Sequence, residues 1–104
     1  MKYKIDFDKL SWMVPFKGIR HKILDQENIR MRLVEYDRSM PPHWCEKPHY
    51  GIVLDGVFEI EFDHETIQYE KGDGLFLPAG RKHRHKARVI TETVLIFFVE
   101  QRIE

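Results

Sequence analysis

The segment on which our interpretation of the chain rests is Gly72-Asp73-Gly74-Leu75-Phe76-Leu77-Pro78-Ala79-Gly80-Arg81-Lys82-His83-Arg84-His85. Glycines suit tight turns and Pro78 cannot continue a central strand, so the apolar residues 75–77 predict a short buried strand. Residues 83–87 then predict a further strand, in which His83 and His85 occupy alternate positions and would face the same side. The segment therefore predicts a strand, a turn and a pair of candidate metal ligands.

The composition predicts a single globular domain of ordinary balance. The chain has 104 residues, with 17 Lys and Arg against 17 Asp and Glu, which is the usual size of one domain. A net charge of zero gives no reason to expect a nucleic acid or an acidic membrane surface as a partner. We find no signal peptide and no membrane-spanning run. The one cysteine, Cys45, cannot form an internal disulfide, so we expect a cytoplasmic protein.

Short alternating or apolar runs separated by Gly, Pro and Asp predict an all-β, antiparallel sandwich or barrel. We expect residues 1–17 to form an N-terminal arm or edge strand and residues 18–100 to form the body of the domain, with 1–104 as one domain. In Ile29–Leu33 the apolar residues are expected to point inward, with Arg30 and Arg32 in solvent. Asp55-Gly56 predicts a hairpin turn. The apolar run 94–99 in the last strand predicts either a sandwiched strand or a subunit interface.

Histidines concentrate in two short segments. His43 and Cys45 would share one face of a strand, and His49 follows across the bend that Pro48 imposes. His83 lies in a distant part of the chain, and its imidazole can complete a metal site with these residues. His85 is interpreted either as a further ligand or as a group that orients another ligand.

These motifs resemble those of a small single-domain cupin. The family's first motif, His-x-His with a following acid and glycine, maps onto His43, Cys45, His49 and Gly56. Its second motif, with Gly, Pro-x-Gly, His and Asn, maps onto Gly72, Pro78, Gly80, His83 and Ala87. The resemblance implies a jelly-roll β-barrel, a metal near its centre and, commonly, a homodimer.

The ligand set departs from the family pattern of three imidazoles and a carboxylate. Mapped residue by residue, this chain offers His43, Cys45, His49 and His83 as metal ligands. A thiolate and imidazoles favour zinc or iron over magnesium or calcium, with nickel or manganese as alternatives. If Cys45 binds, four ligands would close a zinc site; if it does not, a position stays open for water or substrate. Glu46 is an alternative ligand.

The predicted site is compatible with two classes of function. An enzyme would use the metal to polarise a carbonyl, activate a water or bind dioxygen. Its general base would then come from Glu46, His85 or a tyrosine, since the mapped ligand set contains no carboxylate. A non-catalytic metal-stabilised or ligand-sensing barrel is the alternative. Both include a small-molecule ligand as a partner.

Overall fold

The computed structural model describes residues 1–102, which form nine strands: β1 (Met13–Phe16), β2 (Ile19–Gln26), β3 (Ile29–Asp37), β4 (His49–Asp55), β5 (Val57–Glu61), β6 (Thr66–Glu70), β7 (Gly74–Leu77), β8 (Lys86–Val89) and β9 (Thr93–Gln101). Two three-residue 3-10 turns, Phe7–Lys9 and Arg81–His83, are the helical elements of this part of the chain. Across residues 1–102, no helix has the length and hydrophobicity needed to cross a bilayer. The predicted all-β class is confirmed.

The strands form two antiparallel sheets. The larger has the order β1-β2-β3-β9-β4-β7 and the smaller the order β6-β5-β8. Their facing sides enclose an apolar core that draws on both sheets: Val34, Val53, Phe58, Ile60, Leu75, Leu77, Val89, Val94, Ile96 and Phe98. Two packed sheets with these long-range connections make a jelly roll.

The Asp55-Gly56 turn does not make the hairpin that the sequence predicts. β4 pairs with β7 and β9, whereas β5 pairs with β6 and β8. Gly56 is instead the corner at which the chain leaves one sheet for the other. Its φ is +86°, and a Cβ atom there would lie 2.3 Å from the carbonyl oxygen of Thr93. The position requires glycine both for its backbone conformation and for the lack of space.

The inward face of β3 is also the opposite of the one predicted. Val34 is completely buried and Ile29 is 44% exposed, so the inward residues are those in phase with Val34: Arg30, Arg32 and Tyr36. Alternation groups residues by face, but it does not say which face is covered. Outside the sheet, the N-terminal arm covers part of the apolar face. The ring of Phe7 packs edge-on against Phe97, 5.9 Å between centroids.

The segment 72–85 forms the predicted strand but not the predicted continuation. Leu75 and Leu77 of β7 are 4% and 2% exposed. We expected a strand to begin at His83, but His83 ends a 3-10 turn and β8 begins at Lys86. Because His83 belongs to this turn and not to a strand, the two-residue period of a strand does not relate His83 to His85. β1 is an edge strand, as expected for the N-terminal arm, and pairs with β2 alone.

Candidate metal centre

An isolated antiparallel bridge holds Cys45 beside His85. The amide N–H of Cys45 donates to the carbonyl of His85 over 2.8 Å, and the amide of His85 donates back over 3.0 Å. Residues paired across an antiparallel bridge project their side chains to the same side. Pro48 lies between Cys45 and the start of β4, where His49 is the first residue. The bend thus brings His49 to the same place.

Cys45, His49 and His85 form a compact cluster. One ligand atom from each lies within 4.8 Å of the others. The Sγ atom of Cys45 is 3.9 Å from Nε2 of His49, and the two imidazole rings are 5.4 Å apart at an angle of 73°. Ligand atoms around a tetrahedral zinc ion are roughly 3.5 Å apart, as follows from the usual Zn–S and Zn–N lengths. A small contraction would therefore fit the cluster to such an ion.

An unpartnered atom of His85 supports this fit. His85 is 5% exposed, and its buried Nε2 has no hydrogen-bond partner among residues 1–102. Its Nδ1 lies 3.3 Å from the carbonyl oxygen of His83. A carbonyl can only accept, so Nδ1 carries the proton and Nε2 keeps its lone pair. A buried polar atom left unsatisfied costs about 1–3 kcal/mol, and a metal ion would satisfy this one.

Glu100 orients the second imidazole, and sequence reasoning missed it. Oε1 of Glu100 lies 3.1 Å from Nδ1 of His49 and 2.5 Å from Nη2 of Arg32. The carboxylate accepts the Nδ1 proton and leaves Nε2 of His49 facing Cys45, the arrangement that commonly orients histidine ligands. Glu100 stands two residues after inward-facing Phe98, so extending the alternation of β9 past its apolar run would have found it.

Charges in the cluster reinforce one another. The imidazole of His49, and then that of His85, lie beside the Sγ atom and lower the pKa of the Cys45 thiol to about 5. Burial opposes the charged form of His49, but the neighbouring Cys45 and Glu100 outweigh it and raise the pKa of His49. Burial likewise disfavours the ionised Glu100, yet His49 and Arg32 leave its pKa below the usual value. A thiolate is the form in which cysteine binds a metal.

The cluster contains two of the four predicted ligands, Cys45 and His49, together with His85. His43 is exposed, with Nδ1 3.3 Å from the carbonyl oxygen of Pro41. His83 contributes its backbone carbonyl to His85. Neither joins the cluster in the part of the chain that the structure describes, and metal binding by their side chains stays a prediction.

The two candidates for catalytic roles occupy different places. The backbone carbonyl of Glu46 accepts a hydrogen bond from the amide of Gly80 over 3.0 Å, and the residue itself is exposed. His85, expected mainly as a supporting residue, is the buried member of the cluster. Both border the same cavity.

A cavity of about 870 Å³ adjoins the cluster. It is bordered by Cys45, His49 and His85 and by polar groups from the large sheet, including His21, Arg30, Arg32, Tyr36 and Glu100. Burial raises the pKa of Tyr36 to about 12, so its hydroxyl is protonated at neutral pH. Apolar residues such as Phe58, Ile60 and Leu75 border it on the core side. The cavity can hold a small molecule whose polar atoms reach the cluster.

The fold and site together define a jelly-roll protein with a cysteine–histidine cluster at the edge of a cavity that opens to solvent. The Cupin domain family matches residues 30–99, more than half of the chain, and the protein belongs to that family. Cupins commonly bind divalent metals, and the donor atoms of this cluster are of the type that such ions use.

Known proteins resemble the chain in sequence and in structure. An uncharacterized HTH-type transcriptional regulator, YdeC of Bacillus subtilis (strain 168), is 32% identical over 44 residues, which cover 42% of this chain and 15% of the regulator. The chain therefore spans a small part of that relative's length.

Solved structures match over almost the whole chain. KdgF from Halomonas sp. has a TM-score of 0.76 and 25% identity, covering 93% of this chain and 92% of that one. An RmlC-like cupin from Shewanella frigidimarina has a TM-score of 0.76 at 13% identity, covering 100% and 94%. The cupin domain of Schizosaccharomyces pombe Cnp3 reaches 0.76 at 12% identity, covering 97% and 70%. The last two likenesses concern the fold alone.

Proposed function

We propose that this protein binds a divalent transition metal through Cys45, His49 and His85 and presents it to a small molecule in the adjoining cavity. The observation that carries the proposal is the buried, unpartnered Nε2 of His85, which lies in a cluster with a low-pKa thiol and a second imidazole. Thiolate and imidazole donors favour zinc or iron(II).

Three protein ligands leave a coordination position for water or for an oxygen of the bound molecule. A metal held by these three ligands would act as a Lewis acid on a carbonyl or hydroxyl oxygen that occupies the open position. The surrounding residues hold the ligands and the molecule in place. Glu100 fixes the tautomer of His49, and the carbonyl of His83 does the same for His85. These features suit an enzyme as well as a receptor for the small molecule.

A ligand-sensing role is the second candidate, because the partial relative is a transcriptional regulator. The two roles differ in one measurable respect. An enzyme converts its bound small molecule when loaded with metal, whereas a sensor binds it and returns it unchanged. Nuclear magnetic resonance of metal-loaded protein mixed with a candidate molecule distinguishes the two outcomes.

Metal analysis of single variants tests the ligand set. Purified wild-type protein, reconstituted with zinc and desalted, should retain one zinc ion per chain, as measured by inductively coupled plasma mass spectrometry. Cys45→Ser, His49→Ala and His85→Ala should lose most of it. His43→Ala and His83→Ala are the matched controls, since they remove imidazoles from neighbouring positions outside the cluster. If His83→Ala loses the metal and His85→Ala keeps it, the proposed set is wrong. If wild type binds none, the metal function fails altogether.

We also propose that the protein is a cytoplasmic homodimer. A reactive, low-pKa thiol suits a reducing compartment. The edge strand β7 pairs with β4 alone, and Phe76 on it is 76% exposed. Tyr50 and Ile52, on the neighbouring strand β4, extend this apolar surface. A second copy of the chain, placed against β7, would cover it.

A further inference from the structure

The end of the large sheet that borders the cavity carries two inward-facing arginines. Arg30 and Arg32 are in phase with completely buried Val34 on β3, and both border the cavity. Their partners lie on the flanking strands. Nε and Nη2 of Arg32 donate to Oε1 of Glu100 on β9, and Nε and Nη2 of Arg30 donate to Asp25 on β2. Guanidinium groups turned into a cavity are suited to binding an anion.

Both arginines keep N–H groups that are not used in these pairs. A guanidinium has five N–H donors. Arg30 uses Nε and Nη2, and Arg32 uses these and places Nη1 3.4 Å from Nδ1 of His21. A guanidinium cannot accept, so Nδ1 of His21 is the acceptor and its proton lies on Nε2. Burial, and then the neighbouring Arg32, lower the pKa of His21 and keep it neutral. The cavity wall thus offers several hydrogen-bond donors.

The carboxylate of Glu100 adds a hydrogen-bond acceptor beside these donors. Every hydrogen bond that Glu100 receives from residues 1–102 ends on Oε1. Its second oxygen, Oε2, has no such partner, and it is not among the fully buried unpartnered atoms. Oε2 therefore keeps some accessible surface, and Glu100 borders the cavity. A carboxylate oxygen of this kind accepts a hydrogen bond from a hydroxyl group.

Charges along the cavity favour an anion once a metal is bound. The lining contains the cationic Arg30, Arg32 and Lys47 against the carboxylates of Glu46 and Glu100. Asp25 offsets the charge of Arg30. A divalent ion held by one thiolate adds net positive charge, so the filled site retains an excess that a monoanion would balance.

From this arrangement we infer that the cavity binds a small hydroxycarboxylate. Its carboxylate lies against Arg30 and Arg32, its hydroxyl donates to Oε2 of Glu100, and one of its oxygens reaches the metal. The inference rests on the metal site proposed above. Glu100 contacts both Arg32 and His49, so the proposed anion subsite and the proposed metal position lie on either side of the same carboxylate. The hydroxycarboxylate would therefore lie beside Glu100, between the arginines and the metal.

A charged and neutral ligand pair tests the inference. Binding of L-lactate to zinc-loaded protein is compared by titration calorimetry with that of lactamide, which keeps the hydroxyl and shape but has no charge. Lactate should bind at least about tenfold more tightly. Equal affinities would overturn the inference, and so would a preference for inorganic phosphate over lactate, because the site would then bind a different class of oxyanion.

Matched arginine variants test the subsite itself. Arg30→Gln and Arg32→Gln should each weaken lactate binding about tenfold or more, and should weaken lactamide binding by much less. Arg20→Gln is the control. Arg20 makes a similar bidentate pair with Glu35, and its side chain is 42% exposed against 38% for Arg30. It lies on β2 in the opposite phase from His21, which borders the cavity. Equal effects of Arg20→Gln and Arg30→Gln would refute a specific subsite.

The metal content of each sample separates this inference from the proposed function. Protein that binds zinc but shows no preference for lactate contradicts the hydroxycarboxylate subsite alone. Protein that binds no zinc contradicts the metal site. Because Arg32 is only 15% exposed and supports Glu100, Arg32→Gln carries the greater risk of misfolding. The more exposed Arg30→Gln keeps the test decisive, with thermal unfolding as a check on both.

Discussion

Replacing Glu100 should weaken metal binding although Glu100 is not a proposed ligand. Its Oε1 lies 3.1 Å from Nδ1 of His49, and this contact holds Nε2 toward Cys45. A hydrogen bond to a charged group contributes about 1.5–3 kcal/mol. Residues that orient metal ligands in this way typically change metal affinity about 10- to 100-fold, or roughly 1.4–2.7 kcal/mol.

Glu100→Gln and Glu100→Ala should reduce the affinity for zinc by different amounts. Glu100→Gln keeps an amide oxygen that can still accept from His49 but removes the charge, so we expect a loss near the lower value, about tenfold. Glu100→Ala removes the acceptor and leaves Arg32 without its carboxylate near the metal, so we expect a loss near about 100-fold. Both expected losses follow from the contacts that Oε1 of Glu100 makes with Arg32 and His49.

Competition with a chromophoric zinc chelator measures these affinities. Glu35→Gln and Glu35→Ala are the controls, since Glu35 also pairs with an arginine of the neighbouring strand, but in the opposite phase of β3 from Val34. They change the net charge equally. If the Glu100 and Glu35 variants bind zinc with indistinguishable affinity, the carboxylate does not orient His49 and the reasoning is refuted.

Other expectations concern the fold, a buried hydroxyl and the oligomer. In urea unfolding, Gly56→Ala should destabilise the protein by several kcal/mol more than Gly72→Ala. Both positions have positive φ, which costs a residue with a Cβ about 1–2 kcal/mol, but of the two only Gly56 has a carbonyl oxygen 2.3 Å from the added Cβ. Equal losses of stability would show that the corner is not tightly packed. Tyr36, with a folded pKa near 12 against 10, releases its proton more easily when unfolded, so stability should fall between those values as pH rises; Tyr36→Phe should remove that slope, and an unchanged slope would exclude the residue as its source. Phe76→Ser should convert a dimer into a monomer in sedimentation experiments, and a wild-type monomer at micromolar concentration would contradict the proposed interface.

Much of the architecture follows from local sequence patterns. The short runs bounded by Gly, Pro and Asp predict most of the strands, including the buried one at Leu75–Leu77. Two motifs separated along the chain point to the cupin family, which the match over residues 30–99 confirms. The sequence also proposes Cys45 and His49 as ligands, and in the structure their side chains lie together with that of His85. These features depend on turn chemistry and spacing, which the sequence carries directly.

The sheet partners of each strand depended on contacts between distant segments. An Asp-Gly pair suits a hairpin, but Gly56 instead serves a corner between two sheets, because β4 finds its partners in β7 and β9. The alternation in β3 is genuine, yet the arginines face inward because the side of the large sheet in phase with Val34 packs toward the small sheet, while the N-terminal arm lies on the opposite side, where Phe7 packs against Phe97 of β9. The period of a strand shows which residues share a face, but the packing of distant elements decides which of the two faces is buried.

The segment 72–85 separates the two kinds of information. Its sequence determined a buried strand, a turn and two histidines available for a site. Only the tertiary structure decided which of them joins the cluster. A 3-10 turn over Arg81–His83 interrupts the two-residue repeat, and the bridge to Cys45 then turns His85 inward. The choice rests on one long-range pair of backbone hydrogen bonds, which no local pattern in the chain encodes.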